Sequence, residues 1–405
     1  MKAAFIACEY NPFHKGHQYH IKKTKENSVD AVVCVMSGNF VQRGDIAIAD
    51  KYLRAKTALL NGADLVIELP LKYATADASH FAEGFIRTVK ATGIQGFVSF
   101  GAENNLDDLL ACADLLFSEQ AENFAALKLK EGINYPTAKS MFIKQYLKNA
   151  DDILSDANNI LALEYINNAK YFLDEPEFIC IKRNGSSHDS LTPENDFASA
   201  GYLRKKIYAD LLYAQAANVL NNCKLYIPGS AYEVYTKAYY NREFPADLDK
   251  FNTAVFSRLL TFDSEYFSHI NNVSAGLENR ITDSIRNCNS VHELYASVKT
   301  KRYTHSRIRQ IMLQAALGIT REDISAGVSY IRILGFNSIG RQLLSKMKTL
   351  SDKPLITNLS DVGKFGKSAL RDAELDYNSG KLFNLCLPVP NKGNTEFSAH
   401  PFIII

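Results

Sequence analysis

The sequence predicts a doubly wound, parallel α/β sheet followed by a mostly α-helical region. Three observations carry that prediction. The first half contains five short apolar runs rich in β-branched residues and without polar alternation, the pattern of strands covered on both faces. Amphipathic stretches separate those runs, and alternation of strand with helix builds a parallel sheet. From about Asp210 onward the alternation stops and helical patterns dominate.

The expected strands are Ala3–Cys8, Ala31–Met36, Leu65–Leu69, Phe97–Phe100 and Phe178–Ile181. The helical pattern His17–Glu26 follows the first, and Asp50–Asn61 follows the second, closing at Asn61-Gly62. Ser79–Thr92 comes next, with Ser79 as the expected N-cap and Gly93 as the glycine just past its end. Asn158 is a candidate N-cap for a helix over Ile160–Asn168. In the second half helices are expected at Ala231–Asn241, Asn252–Leu260, Gly276–Asn287, Val291–Val298 and Arg307–Ala316. A mixed tail holds Tyr330–Leu334, Pro354–Thr357 and Leu382–Leu387. The expected division is 1–215 and 216–405.

Composition narrows the class. The chain has 405 residues, 46% hydrophobic and 22% charged, which is ordinary for a globular protein with room for two domains. The 46 basic and 44 acidic residues leave a net charge of +2, so any nucleic-acid footprint must be local. Seven cysteines, at 8, 34, 112, 180, 223, 288 and 386, form no CxxC pair. They read as reduced thiols rather than disulfides or a zinc site, and no protein metal site is expected. The start, MKAAFIACEYNPFHKGH, becomes polar too early for a signal peptide. No apolar stretch reaches the length of a membrane span. The expectation is a cytoplasmic protein with no membrane partner.

The chemistry centres on the stretch after the first strand, Glu9-Tyr10-Asn11-Pro12-Phe13-His14-Lys15-Gly16-His17. Asn-Pro marks a turn, and a helix expected to open at His17 presents free N–H groups and a positive dipole end at the carboxyl edge of the sheet. Ligands of such sheets bind at that edge. Two imidazoles three apart, straddling Gly16, suit an anion site. They can stabilise charge that builds on the phosphates during attack at the α-phosphorus, so His14 and His17 are the candidate catalytic residues. The alternative is two surface histidines beside a turn.

His14-Lys15-Gly16-His17 resembles the HxGH signature of the nucleotidylyltransferase superfamily, whose sheet is Rossmann-like. Phe197-Ala198-Ser199-Ala200-Gly201-Tyr202-Leu203-Arg204 resembles that superfamily's second, phosphate-contacting motif, with Ser199 at a helix start and Arg204 one turn on. A narrower resemblance covers most of the chain. Glu9–His14, Val35–Gly44, Asn61–Pro70, Ser99-Phe100-Gly101, Asn158-Asn159-Ile160-Leu161, Ile181-Lys182-Arg183, Lys301–Thr304 and Arg332–Phe336 are similar to the bacterial tRNA(Met) cytidine acetate ligase family. That resemblance implies an ATP-dependent ligase. Acetate attacks the α-phosphate of ATP to give acetyl-adenylate and pyrophosphate, and the wobble cytidine of elongator tRNA(Met) takes the acetyl group. The product is N4-acetylcytidine. ATP is then the nucleotide substrate, and Mg²⁺ is expected because triphosphate chemistry usually uses it. The rival reading is a small-molecule adenylyltransferase of the same superfamily.

The resemblance implies ATP contacts along Ala7, Cys8, Glu9, Tyr10, Asn11, Pro12, Phe13, His14, Lys15, Gly16, His17, Gln18, Tyr19 and His20. It adds Gly101, Asn158, Arg183, Ser199 and Arg204. After Arg183 the chain reads Asn184-Gly185-Ser186-Ser187-His188-Asp189 where the family usually shows Gly-Tyr-His-Asp, so an aromatic is lost. Ser37-Gly38-Asn39-Phe40-Val41-Gln42-Arg43-Gly44 follows the second strand. There Ser37, Asn39, Gln42 and Arg43 are candidates for holding acetate or phosphate, the alternative being a structural connection. Asp50, Lys51 and Arg54 read equally as a surface ion pair or a site. Lys299, Lys301, Arg302, Arg307 and Arg309 put five basic residues within eleven, with Tyr303 and His305 among them. Lys301, Arg302, Arg307 and Arg309 are therefore candidate tRNA contacts.

Overall fold

The computed structural model describes residues 1–183, 197–213, 219–274, 276–300, 303–391 and 395–404. The strands are β1 (Ala3–Cys8), β2 (Ala31–Ser37), β3 (Phe40–Val41), β4 (Asp45–Ile46), β5 (Leu65–Leu69), β6 (Gly96–Ala102), β7 (Glu177–Lys182), β8 (Ile331–Phe336), β9 (Leu355–Ile356) and β10 (Phe402–Ile403). Helices that matter below are α1 (Lys15–Lys25), α2 (Lys51–Leu60), α3 (Ala78–Ala91), α4 (Ala157–Phe172), α5 (Ala200–Tyr213), α6 (Gly229–Tyr240), α7 (His305–Leu317) and α8 (Lys367–Leu385).

The main sheet runs β10-β8-β5-β2-β1-β6-β7, with β9 alongside β8. Strands β5, β2, β1, β6 and β7 are mutually parallel. Strand order departs from β1 in both directions, towards β2 and towards β6. That is a switch point, where crossovers diverge and a crevice opens at the carboxyl ends. Alternate residues of each strand feed two apolar layers. Phe5, Val33, Val35, Ile67 and Val98 pack on the face carrying α3 and α4. Ile6, Val32, Cys34, Met36 and Val66 pack on the face carrying α1, α2 and α6. Every residue of β2 is buried, which is why these runs lack polar alternation.

Several expectations are corrected. The helix expected from Ser79 is capped by Asp77, whose side chain accepts from the His80 N–H. Asp156, not Asn158, caps α4. Gly93 does sit past α3 with φ +67°, a left-handed turn that favours glycine. The mixed tail is partly sheet. Ile331–Phe336 pairs antiparallel with β5, and Phe402–Ile403 pairs parallel with it in turn. Leu382–Leu385 closes α8 instead of forming its own element. A cut at residue 215 would therefore leave β8, β9 and β10 of the same sheet in the second part. All seven cysteines are free thiols, five of them buried. Among the described residues no helix is long and apolar enough to cross a membrane.

Candidate active site

The β1–α1 turn is built so that two histidines serve as the cap of a helix. His14 is the N-cap of α1, with its Nδ1 accepting the Gly16 N–H at 3.0 Å. The helix thus opens at Lys15, two residues earlier than the expected start at His17. His17, at the third helical position, accepts the His14 N–H on its own Nδ1 at 3.3 Å. This is a capping box made of imidazoles. It has a chemical consequence: a neutral ring that accepts at Nδ1 carries its proton on Nε2. Both rings are therefore Nε2–H donors. They stack with centroids 3.7 Å apart and line one cleft.

Gly16 makes that arrangement possible in an unexpected way. A Cβ there would stand 2.8 Å from His14 Cε1 and 3.0 Å from its Nδ1. The missing side chain makes room for the His14 ring itself, in addition to any room it leaves for a ligand.

The turn before the histidines is pinned from several directions. Tyr10 holds φ 49°, a region L-residues rarely enter unless their surroundings enforce it. Its ring is buried, and its hydroxyl meets Cys34 Sγ at 3.2 Å. Asn11 Oδ1 accepts the Ile48 N–H at 2.8 Å, and the Phe13 N–H donates to the Tyr235 hydroxyl at 3.0 Å. Arg54 is fully buried. It donates to the carbonyls of Ala49 at 2.9 Å, Glu9 at 2.6 Å, Ser37 at 3.0 Å and Gly38. A buried guanidinium is tolerated only when its N–H groups are so occupied. Arg54 is thus neither a surface ion pair nor a ligand group: it ties together the ends of β1 and β2.

The cleft is lined by His14, Gly16, His17, Tyr19, His20, Gly101, Ile181, Lys182, Arg183, Ser199 and Ala200. It lies between the ends of β1 and β6–β7, at the switch point. Four widely separated sequence segments expected at one site therefore converge. Ser199 caps α5, accepting the Tyr202 N–H at 3.0 Å, so a second helix N-terminus points at the cleft. Arg183 lies at the end of β7, with its Nε 3.1 Å from Glu103 Oε1. His20 meets the Ser99 hydroxyl at 3.1 Å. Burial, reinforced by the nearby Arg183 charge, pushes its pKa down to about 4, so it is neutral at pH 7.

Other expected residues sit around the cleft. Asn158 donates to Glu103 at 2.8 Å and so reaches Arg183 through that carboxylate. Its neighbour Asn159 binds the backbone of Glu103 and Asn104. Arg204 donates to the Asn11 carbonyl at 2.6 Å, which makes it a support of the histidine turn. The segment Ser37–Gly44 does not line this cleft. Asn39 caps the backbone of Lys51, and the Gln42 backbone bonds Glu9 and Gln310. Phe40–Val41 and Asp45–Ile46 form a small hairpin against α7. The Ser37 hydroxyl is buried without a hydrogen-bond partner, and Arg43 is exposed.

Of the cationic patch, Arg307 and Arg309 are half-buried and engaged by the protein, while Lys299 is exposed. Arg309 pairs with Asp45 at 2.6 Å. Arg307 covers the Tyr303 ring and donates to the Asn272 carbonyl. Tyr303 is only 7% exposed and hydrogen-bonds Ser274, so it offers no stacking face. Lys301 and Arg302 lie outside the described residues, as does 184–196. Sequence reasoning missed Glu103, Asp156, Ser99 and Lys182 as neighbours of the cleft. Glu103, two residues beyond Gly101 at the end of β6, was the accessible signal.

A family model described as HIGH Nucleotidyl Transferase matches residues 1–397. A tRNA(Met) cytidine acetate ligase of Thermoanaerobacter sp. (strain X514) is 39% identical over 363 residues, covering 88% of each chain. That of Acetivibrio thermocellus is 34% identical and covers 100% of both chains. Two crystal structures of Thermotoga maritima TmcAL match at 31% identity. The form bound with alpha-thio ATP has a TM-score of 0.90 and covers 100% of this chain and 99% of that one. The apo form has a TM-score of 0.92 and covers 100% of both.

Proposed function

This chain belongs to the HIGH nucleotidyl transferases and, among them, to the tRNA(Met) cytidine acetate ligase family, and from that premise we propose how its cleft works. ATP binds across the switch point. A carboxylate oxygen of acetate attacks the α-phosphorus, and pyrophosphate leaves. The wobble cytidine N4 of elongator tRNA(Met) then attacks the acetyl carbonyl, AMP leaves, and the amine gives up a proton. The product is N4-acetylcytidine.

The observation that carries this reading is the imidazole capping box. Two rings held as Nε2–H donors, with Arg183 and the Ser199-capped helix across the cleft, suit oxygens that gain charge during attack at phosphorus. His14 and His17 are the catalytic pair in this proposal. Gly101 lies beneath the adenosine, Arg183 and Ser199 meet phosphate, and the backbone of Ala7–His20 wraps the nucleotide. Asn158 and Arg204 act as positioning residues through Glu103 and Asn11. Mg²⁺ is taken to travel with the triphosphate. Among the described residues no group of three or more His, Cys, Asp or Glu converges to hold it.

The test is incubation with ATP, labelled acetate and bulk bacterial tRNA, followed by nucleoside analysis. Labelled N4-acetylcytidine should appear together with AMP and pyrophosphate. Acetyl-CoA supporting the reaction without ATP would remove the adenylation mechanism. Labelled acetate trapped as acetyl-adenylate but never entering tRNA would favour a small-molecule adenylyltransferase.

A further inference from the structure

The outer face of α1 continues the catalytic cleft into a second, open groove. Lys15, Gln18, Tyr19, Lys22 and Lys25 recur at helical spacing and share one stripe of the helix. They line the groove together with Phe197. Tyr19 lines both the groove and the cleft, and it meets Phe197 edge-on at 6.1 Å between ring centroids. Phe197 stands two residues before Ser199, which lines the cleft from the other side. The path from groove to cleft therefore passes an aromatic pair.

Charge along this path is one-sided. Lys22 is exposed, and its neighbour Lys23 engages Glu26 at 2.6 Å. Lys25 leans on Asp64, a carboxylate that is 1% exposed and also held by the Val32 N–H. The acidic groups thus sit at one end of the stripe or beneath it, and the lysines form its outer surface.

We propose that this groove is the entry for a looped strand of RNA, with the α1 lysines on its phosphates and the Tyr19–Phe197 pair against the base that enters the cleft. The proposal rests on the ligase reading above. Recognition of RNA loops uses splayed bases stacked on aromatic rings and cations along the backbone. A cytidine whose N4 must reach an acetyl group beside His14 and His17 has to leave its neighbours and pass the rim of the cleft. The groove supplies a cationic wall and aromatic rings at that rim. At residues 299–309 the aromatic is not available for stacking, since Tyr303 is buried and bonded to Ser274.

The experiment compares wild type, Lys22→Glu, Lys22→Glu with Lys25→Gln, and Lys22→Arg in the full chain. Binding of tRNA is measured at several salt concentrations, and acetate-dependent pyrophosphate exchange is measured without tRNA. The double variant should bind tRNA about tenfold more weakly at low salt, with a log–log salt slope flatter by about 0.7–0.9 for each lost contact. Lys22→Arg should bind as wild type does, and exchange should stay within about twofold in all variants, because the cleft is intact. Wild-type affinity and slope in the double variant would overturn the groove, as would a change of oligomeric state in place of lost RNA affinity. A wild-type chain that exchanges pyrophosphate yet neither binds nor acetylates tRNA would remove the ligase reading, and the groove with it.

Discussion

Two charged constellations lie at the carboxyl edge of the parallel strands, and they are finished in opposite ways. At the β1–β6 switch point, His14, His17 and Arg183 line an open cleft. Two strands away, Lys51, Glu68, Arg332, Glu396 and Asp376 are sealed between β5, β8 and α8, each at most 7% exposed. There Lys51 Nζ meets Glu68 at 2.9 Å and Glu396 at 3.0 Å, and Arg332 meets Glu396 at 2.7 Å. Two cations face two carboxylates, and the third acid, Asp376, has its pKa raised to about 7 by burial and by Glu68. The inner cluster is neutral within itself. The cleft instead gathers His14, His17 and Arg183 around open space, with Glu103 beside Arg183. The first arrangement holds the fold, and the second is what a phosphate site requires.

The largest effect is expected where the charges are sealed from water. Glu68→Ala leaves Lys51 and Arg332 buried with Glu396 as their main counter-charge. Breaking a buried pair in this way costs about 3–5 kcal/mol of stability. Chemical denaturation should show that loss, while acetate-dependent pyrophosphate exchange per folded molecule stays near wild type. If exchange collapsed with stability unchanged, the cluster would belong to the site.

The cleft should respond in the reverse sense. His14→Ala or His17→Ala should slow acetyl-adenylate formation by about 10²–10³, the scale of one lost transition-state donor. ATP affinity should fall only a few-fold, and stability should fall by about 1 kcal/mol through the lost cap. Single-turnover kinetics together with ATP calorimetry measure both quantities. Near-normal acetyl-adenylate formation by both variants would end their assignment as catalytic residues.

The same contrast explains what could be read beforehand. Ala3–Cys8 and Leu65–Leu69 were legible to the residue because burial on both faces leaves an uninterrupted apolar run. The histidine turn was legible because its chemistry lies within four consecutive residues after a strand. The inner cluster was not. Lys51 and Arg54 look like surface charges until α2 is packed, and Arg332 and Glu396 acquire meaning only when β8 pairs with β5. Local spacing carries no information about such pairing. Ser79 and Asn158 are passed over as caps in favour of Asp77 and Asp156, two residues earlier in each case and equally competent N-cap residues. The cationic run at 299–309 shows the same limit: sequence density does not reveal that Asp45 lies opposite Arg309.

The smallest expected effect is also the most direct comparison of the two regions, because their titrations have opposite signs. His20 in the cleft has a folded pKa of about 4, below the 6.5 of an unperturbed histidine. Between those values the unfolded chain binds one proton more, so this group makes stability fall as pH falls from about 6.5 to about 4. Asp376 in the cluster holds its proton to about pH 7, whereas an unperturbed aspartate releases it near 3.8. Between those values the folded chain binds one proton more, so this group makes stability fall as pH rises from about 4 to about 7. Each contributes a slope of at most about 1.4 kcal/mol per pH unit. In the shared window from about 4 to 6.5 the two slopes oppose each other and largely cancel in the wild type. Each variant should uncover the group it leaves in place. His20→Gln should shift the stability curve, relative to wild type, towards losing stability as pH rises. Asp376→Asn should shift it towards losing stability as pH falls. Urea midpoints taken from pH 4.5 to 6.5 supply the test. Parallel curves for all three proteins would mean that neither group titrates differently on folding, and the electrostatic distinction between open cleft and sealed cluster would fall with it.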